Sequence, residues 1–408
     1  MKVLIIGSGP AGIVAAEEMR TADPTIELEM VTQEPYPPYS PPAMADHFLT
    51  GRSEPRFWKG PDVCERLGIA YRSPVRVAAV EPGGRAIRLQ DGGRLTCDKL
   101  LIASGSRLYA PIEGAELPGV HDFKSLAAAE GIMARVRRRE ARTALIVGAG
   151  FIGMEIALLL ADLGVKVAII GRRTWVMPRM LDPETAEIAG RAMVARGIEL
   201  RLGVEATGFV ERDRVAAGVR LANGEILIAD LYVAATGVKP NLGFLEGSGL
   251  AMDWGITVDD RLRTNVPGVW AAGDVVEAPD RATGKSFVHA IFPNAVDQAR
   301  IAAANILGAD LAYPGAESMN SLKHLGLPIM AVGAMESADE LRWRDGDALR
   351  KVFLEDGRIV GFRFAGEISG GGLLRTFLLR GDDVRRFGRR LVVPGFGMSQ
   401  MVLPAMSL

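Results

Sequence analysis

The segment Lys2 to Arg20, KVLIIGSGPAGIVAAEEMR, constrains this chain more than any other. Val3 to Ile6 is an apolar run suited to a buried strand. The turn Gly7-Ser8-Gly9-Pro10-Ala11-Gly12 follows without a spacer, and Ala11 to Arg20 reads as a helix. Strand, GxGxxG and helix in that order make the cradle that a dinucleotide pyrophosphate needs. Gly7 allows the tight turn, Gly9 lets the diphosphate approach the backbone, and Gly12 lets the helix pack close to the strand. The phosphates then face unpaired N–H groups at a helix N-terminus, where the dipole contributes about half a positive charge. Pro10 and Ala11 belong to the same cradle.

A second origin begins at Thr143. Ala144 to Val147 is a strand, Gly148-Ala149-Gly150-Phe151-Ile152-Gly153 is a second GxGxxG 141 residues after the first, and Met154 to Leu163 is a helix closed by Gly164. Val165 to Ile170 is the next strand. Two complete fingerprints imply two dinucleotides on two Rossmann-like units. The halves share further features. The strand Lys99 to Ala103 runs into Ser104-Gly105-Ser106, and the strand Asp230 to Ala235 runs into Thr236-Gly237-Val238-Lys239-Pro240-Asn241.

Acidic residues stand where ribose chemistry wants them. Glu34 follows the strand Ile26 to Thr32, 22 residues past Gly12, where an acid hydrogen-bonds a ribose hydroxyl. The run Thr264 to Asp274, TNVPGVWAAGD, ends a strand on Gly273-Asp274 and sets a carboxylate at the sheet edge where ligands bind. A Pro293-Asn294-Ala295 turn then opens a helix from Val296 to Leu307. The segment EPYPPYSPP, with five prolines from Pro35 to Pro42, reads as a stiff loop lying against the first cofactor. Past the second fingerprint, the position where an NAD-preferring site carries an acid, 18 residues after Gly153, is Gly171, followed by Arg172 and Arg173. This inverts the charge logic and favours a 2′-phosphate.

Composition narrows the rest. The chain has 408 residues, enough for two or three domains, with 48% apolar residues and 48 glycines. Its formal charge of −1 gives no global field for nucleic acid. No window reaches the roughly 18 charge-free apolar residues of a membrane span. The two cysteines, Cys64 and Cys97, lie too far apart for a local redox pair or metal cage and fit a reducing cytoplasm. Arg135, Arg137, Arg138 and Arg139 read as a solvated helix face. From Tyr313 the pattern changes: Ala331 to Ala334, Leu349 to Leu354 and Ile359 to Ala365 read as antiparallel strands, and Leu373 to Leu379 as a helix. The apolar, Met-rich end FGMSQMVLPAMSL is expected to pack on its domain or on another chain.

The ordered set GSGPAG, ASGS, GAGFIG, ATGVKPN and TNVPGVWAAGD resembles the two-dinucleotide-binding flavoproteins of the pyridine nucleotide–disulfide reductase fold over about residues 1–310. The resemblance implies an α/β fold: an FAD domain from 1–110 and 242–312, an inserted NAD(P)H domain from 111–241, and a small α+β C-terminal interface domain from 313–408. It implies FAD on the first fingerprint, with Glu34 on its adenosine ribose and Asp274 on its ribityl chain. Pro42, Val77, Ala103, Ser104, Gly105, Gly273 and Ala295 complete that site. It implies NAD(P)H on the second, at Gly148, Gly150, Phe151, Ile152, Gly153, Glu155, Arg172, Arg173 and Gly237. EPYPPYSPP is similar to the branch holding rubredoxin reductases, oxygenase-coupled ferredoxin reductases, apoptosis-inducing factor and the flavin part of nitrite reductases, which carry no redox disulfide. Many relatives read PPYxRPPLSK, with the Lys paired to the Glu equivalent to Glu155. Here Pro41 and Asp46 stand at the Arg and Lys positions, so that pairing is lost.

The expected activity is electron transfer from a nicotinamide, with NADPH favoured, through FAD to a rubredoxin- or ferredoxin-type protein. The alternatives are a flavin subunit of a larger iron–sulfur enzyme, with reduction of NAD(P)+ as one direction, and a redox-sensing interaction protein. An oligomer through the C-terminal domain is a further expectation. Phe292 is a candidate ring beside the flavin, and His289 is read as structural before catalytic.

Overall fold

A computed structural model describes residues 1–52, 54–322 and 324–399. The chain divides into two compact units. The first takes Met1–Tyr109, Lys124–Gly131 and Val238–Glu317; the second takes Ala110–Phe123, Ile132–Gly237 and the segment from Ser318 on.

The first unit is built on a five-stranded parallel sheet in the order Val269–Ala271, Lys99–Ile102, Lys2–Ile6, Glu27–Val31, Ile69–Arg72. The three central strands are short runs buried on both faces for most of their length, as parallel sheets require, while the edge strand Ile69–Arg72 is partly exposed. Val3, Leu4 and Ile5 are fully buried in one core with Ile13, Leu28, Leu101 and Ala299. Helix Pro10–Ala22 begins on Pro10, whose missing N–H costs nothing in a first turn. The strand Glu27–Val31 stops before Glu34, which lies in the bend beyond it. The later helix runs from Phe292 to Ile306, so Pro293, Asn294 and Ala295 are its first turn and not a preceding loop. A proline fits there because early helical N–H groups have no intrahelical acceptor. Residues 238–241, expected with the second nucleotide segment, belong to the first unit, where Val238–Pro240 pairs with Ser106–Leu108.

The second unit repeats the plan. Its parallel sheet has the order Glu199–Leu202, Lys166–Gly171, Thr143–Val147, Leu231–Ala234, Val120–His121. The fingerprint helix Phe151–Asp162 ends at Leu163, and Gly164 follows at φ +83°, the left-handed residue expected past a helix end. The same unit holds a five-stranded antiparallel sheet, Met319–Leu322, Ile329–Gly333, Arg358–Ala365, Ala348–Glu355, Asp339–Asp345. Helix Gly371–Arg380 packs on it through Leu374 and Phe377, over Phe362 and Phe364. Of the apolar end, Phe396 is buried and Met398 is exposed, while 400–408 lie outside the described residues. The arginine run is not wholly a solvated face. Helix Leu126–Arg137 ends within it, and half-buried Arg135 donates to the Asp230 carbonyl.

One buried charge sits in the first sheet. Glu29 is 3% exposed and takes Lys2 Nζ at 2.8 Å and the Arg72 guanidinium. Burial pushes its pKa up, but the bonds from Lys2 and Arg72 outweigh that and hold it below the ordinary 4.5. Its stabilisation is therefore present above the unfolded value and is lost as pH falls through the lower folded value. Glu29→Gln is expected to lower the urea midpoint at about pH 7, with the gap to wild type closing as pH falls far enough to protonate Glu29 in the folded state. A gap that stays constant over that range would show that the ionised carboxylate contributes nothing.

Candidate functional site

Parallel strands all end on the same edge of their sheet, and that edge is where ligands bind in such folds. In the first unit it gathers the ends of Lys2–Ile6, Glu27–Val31, Lys99–Ile102 and Val269–Ala271. These are followed by Gly7–Gly12, Glu34, Ala103–Gly105 and Gly273–Asp274 respectively.

The glycines divide by what a side chain would meet. At Gly7, φ is +106° and a Cβ would lie 2.2 Å from the Ala103 carbonyl oxygen; at Gly12 it would lie 2.0 Å from the Gly7 carbonyl oxygen. Protein backbone excludes both. Gly9 differs: its φ is −67°, open to any residue, and no protein atom lies within 4 Å of the Cβ position. Nothing in the protein demands glycine there, whereas a diphosphate lying on the turn does. The second unit repeats this. Gly148 has φ +123° and would meet the Ala235 carbonyl oxygen at 2.3 Å, Gly153 would meet the Gly148 carbonyl oxygen at 2.0 Å, and Gly150 faces open space at φ −83°. The residues present thus fit two dinucleotides.

Gly273 lies at φ +85°, with Ala11 and Ala295 flanking its Cβ position at 3.0 and 3.7 Å. Its N–H donates to Gln298 Oε1 at 2.7 Å, which ties the Gly-Asp turn to helix Phe292–Ile306. Asp274 is half-buried. Its Oδ2 accepts from Ser106 Oγ at 2.8 Å and from Lys124 Nζ at 2.7 Å. Glu34 accepts the Tyr39 hydroxyl at 2.7 Å, and Tyr39 in turn accepts the Leu126 N–H at 3.0 Å. Burial raises the Glu34 pKa, against the pull of Tyr39 and Lys124. An open groove of about 680 Å³ adjoins Glu34, Pro74, Val75, Arg76 and Ser125. Pro42 is exposed on the short turn Pro41–Ala43, and Val77 is a core residue of strand Val77–Val80 beyond that groove.

Lys124, Ser106 and Tyr39 were not foreseen. Each touches a foreseen carboxylate, but Lys124 lies 150 residues from Asp274 and nothing local in the sequence marks it. His289 is buried, stacked on Phe287 at 3.7 Å, and its Nε2 has no partner among the described residues. Burial lowers its pKa, against the pull of Asp280, which leaves the ring neutral. Phe292 packs edge-on against Trp58 at 5.1 Å. Burial pushes the thiols of Cys64 and Cys97 up to about 11, away from thiolate chemistry.

In the second unit, Phe151 and Ile152 open the helix, with Ile152 46% exposed, and Glu155 is half-buried one turn on. Asp46 belongs to the other unit. Gly237 closes the segment after Leu231–Ala234. A side chain at Gly171 would meet Ala149 Cβ at 2.8 Å and Leu202 at 2.9 Å, so packing forbids an acid at that position. Arg172 and Arg173 are exposed; Glu205 approaches Arg172 only to 3.8 Å. No helix among the described residues is long and apolar enough to cross a membrane.

Residues 1–299 match the family model described as pyridine nucleotide-disulphide oxidoreductase. The NADH-dependent phenylglyoxylate dehydrogenase subunit epsilon of Aromatoleum evansii is 29% identical, over 98% of this chain and 97% of the relative. The 5,5′-dehydrodivanillate O-demethylase ferredoxin reductase subunit of Sphingobium is 32% identical, over 88% of each chain. Among solved structures, the ferredoxin reductase for the CYP199A2 system from Rhodopseudomonas palustris superimposes with a TM-score of 0.87 at 24% identity, covering 98% of this chain and all of the other, and shows the shared fold. The family supports FAD and NAD(H) as cofactors. With the match spanning both fingerprints, the chain belongs to the pyridine nucleotide-disulphide oxidoreductase family and is an oxidoreductase.

Proposed function

We propose that the chain takes electrons from a nicotinamide dinucleotide and passes them through FAD to an iron–sulfur or rubredoxin-type protein. The observation that carries this reading is the pair of fingerprints whose middle glycines, Gly9 and Gly150, face open space while their outer glycines are jammed against backbone. When bound, FAD supplies the exchange between two-electron and one-electron chemistry. The chain's own residues bind and orient. The fingerprint turn from Gly7 to Gly12, with Pro10 and Ala11 inside it, holds the diphosphate, the Gly7 N–H being spent on the Val31 carbonyl at 2.8 Å. Glu34 takes the adenosine ribose and Asp274 the ribityl hydroxyls, with Lys124 balancing both carboxylates. Pro42, Val77, Ala103, Ser104, Gly105 and Gly273 line the cofactor. Ala295 brings a helix N-terminus whose dipole favours negative charge. The second dinucleotide lies on Gly148, Gly150, Phe151, Ile152, Gly153, Glu155 and Gly237, all in the second unit. The high thiol pKa values of Cys64 and Cys97 argue against a disulfide relay.

A second reading, a permanent flavin subunit of a larger iron–sulfur enzyme, is favoured by the near full-length likeness to the phenylglyoxylate dehydrogenase subunit. Co-purification of stable subunits from the native host, in the cytoplasm where separated reduced cysteines are at home, supports it. An isolated chain that turns over with a small carrier alone supports the first.

Two outcomes test the cofactor sites. Gly9→Ala is expected to leave apoprotein stability within about 0.5 kcal/mol of wild type, since the new methyl meets no protein atom, yet to release flavin on gel filtration. Wild-type flavin retention by this variant would contradict the assignment. The second concerns which nicotinamide. Relatives are named for NADH or NAD(+), but the missing acid at Gly171 and the exposed Arg172 and Arg173 favour NADPH. We expect a higher kcat/KM with NADPH, and Arg172→Ala with Arg173→Ala to weaken NADPH use while sparing NADH. A preference for NADH of about tenfold or more, 1.4 kcal/mol in the wrong direction, sinks this.

A further inference from the structure

The loop between strand Lys166–Gly171 and helix Pro183–Ala195 carries Arg172 and Arg173 and is pinned at three points. The Gly203 N–H donates to the Arg173 carbonyl at 2.9 Å, at the start. In the middle, the Met177 N–H donates to the Ala149 carbonyl at 2.7 Å, so the loop is bonded directly to the second fingerprint. Met177 is 1% exposed and takes φ +50°, a conformation held only by what surrounds it.

The third pin is Asp182, the N-cap of the helix. Its carboxylate accepts the Thr185 hydroxyl at 2.6 Å and N–H at 3.4 Å, and also Lys351 Nζ at 3.1 Å. Lys351 comes from strand Ala348–Glu355 of the antiparallel sheet in the same unit. It is 8% exposed and also faces Glu340 at 3.3 Å and Glu184 at 3.7 Å. Arg344 Nη1 reaches the same Glu184 at 2.8 Å, and Arg342 reaches it too. Burial disfavours the ammonium, but Asp182 and Glu340 outweigh it, so Lys351 stays charged. An ammonium this buried holds one position, because leaving its carboxylates means losing its only compensation.

We propose that Lys351 is a positioning residue for the nicotinamide dinucleotide: by fixing Asp182, the C-terminal sheet sets the loop that bears Arg172 and Arg173 against the second fingerprint. This rests on the dinucleotide reading of that fingerprint. It gives the C-terminal sheet a part in cofactor affinity. Both NADPH and NADH feel the change, since the whole loop moves. That separates Lys351 from the two arginines, which select the 2′-phosphate.

The test uses the full-length, FAD-loaded protein with an artificial electron acceptor, titrated with NADPH and with NADH. Lys351→Met is expected to raise KM about tenfold for both cofactors, as misplaced binding groups do, with kcat and the flavin spectrum unchanged. Lys351→Arg, which can still reach Asp182, restores most of the affinity. Asp182→Asn keeps the cap's shape and removes its charge; it carries the same test should Lys351→Met fail to fold, and it too raises KM. A merely structural role would lower the melting temperature and leave KM alone. A folded, flavin-loaded Lys351→Met or Asp182→Asn variant with wild-type KM values overturns the proposal. A wild-type protein that retains no flavin or oxidises neither nicotinamide would instead overturn the reading beneath it.

Discussion

The contact on which both halves of this protein depend is one between backbones. The Gly7 carbonyl oxygen lies 2.0 Å from where a Cβ at residue 12 would sit, and the Gly148 carbonyl oxygen lies at the same distance from a Cβ at residue 153. Only glycine lets the helix start that close to the end of its strand. That closeness sets the unpaired N–H groups of the first helical turn beside the sheet edge. Each sheet then brings its other strand ends to the same edge, because parallel strands share a direction.

Around this frame the two carboxylates each have protein partners. Asp274 rests on Ser106 and Lys124, and Glu34 rests on Tyr39. Carboxylates held in this way are presented in defined positions, which lowers the ordering cost when hydroxyls of a ligand come to them. In the second unit the corresponding edge is unlike the first. A packed Gly171 replaces any acid, and exposed arginines follow it. The two edges therefore share a backbone design and differ in charge.

The antiparallel sheet adds a different kind of constraint. Arg350 and Arg363 are almost wholly buried within it, donating to carbonyls at Glu367, Ser369, Val332 and Gly333, and burial lowers the pKa of both guanidiniums to about 10. Lys351 leaves the same sheet toward Asp182. Charges kept inside at this desolvation cost add little net stability of their own.

The sequence by itself determined both fingerprint units, their strand and helix types, and the antiparallel character of the C-terminal sheet. These are local matters: a glycine spacing, an apolar run of four or five residues, a turn between two strands. It also marked Glu34, Asp274, Arg172 and Arg173, since each stands at a fixed distance from a motif. Boundaries slipped where local signals compete, as when Pro293 to Ala295 read as a turn and proved to be the first turn of a helix. Only the tertiary structure decided that Lys124 meets Asp274, that Gln298 holds Gly273, and that Lys351 meets Asp182. Each of those pairs joins distant segments through a lysine or glutamine that looks, in sequence, like any surface residue. The physical reason is that a partner for a buried charge or N–H is chosen by where sheets and helices bring side chains together, and no periodicity or spacing along the chain records that choice.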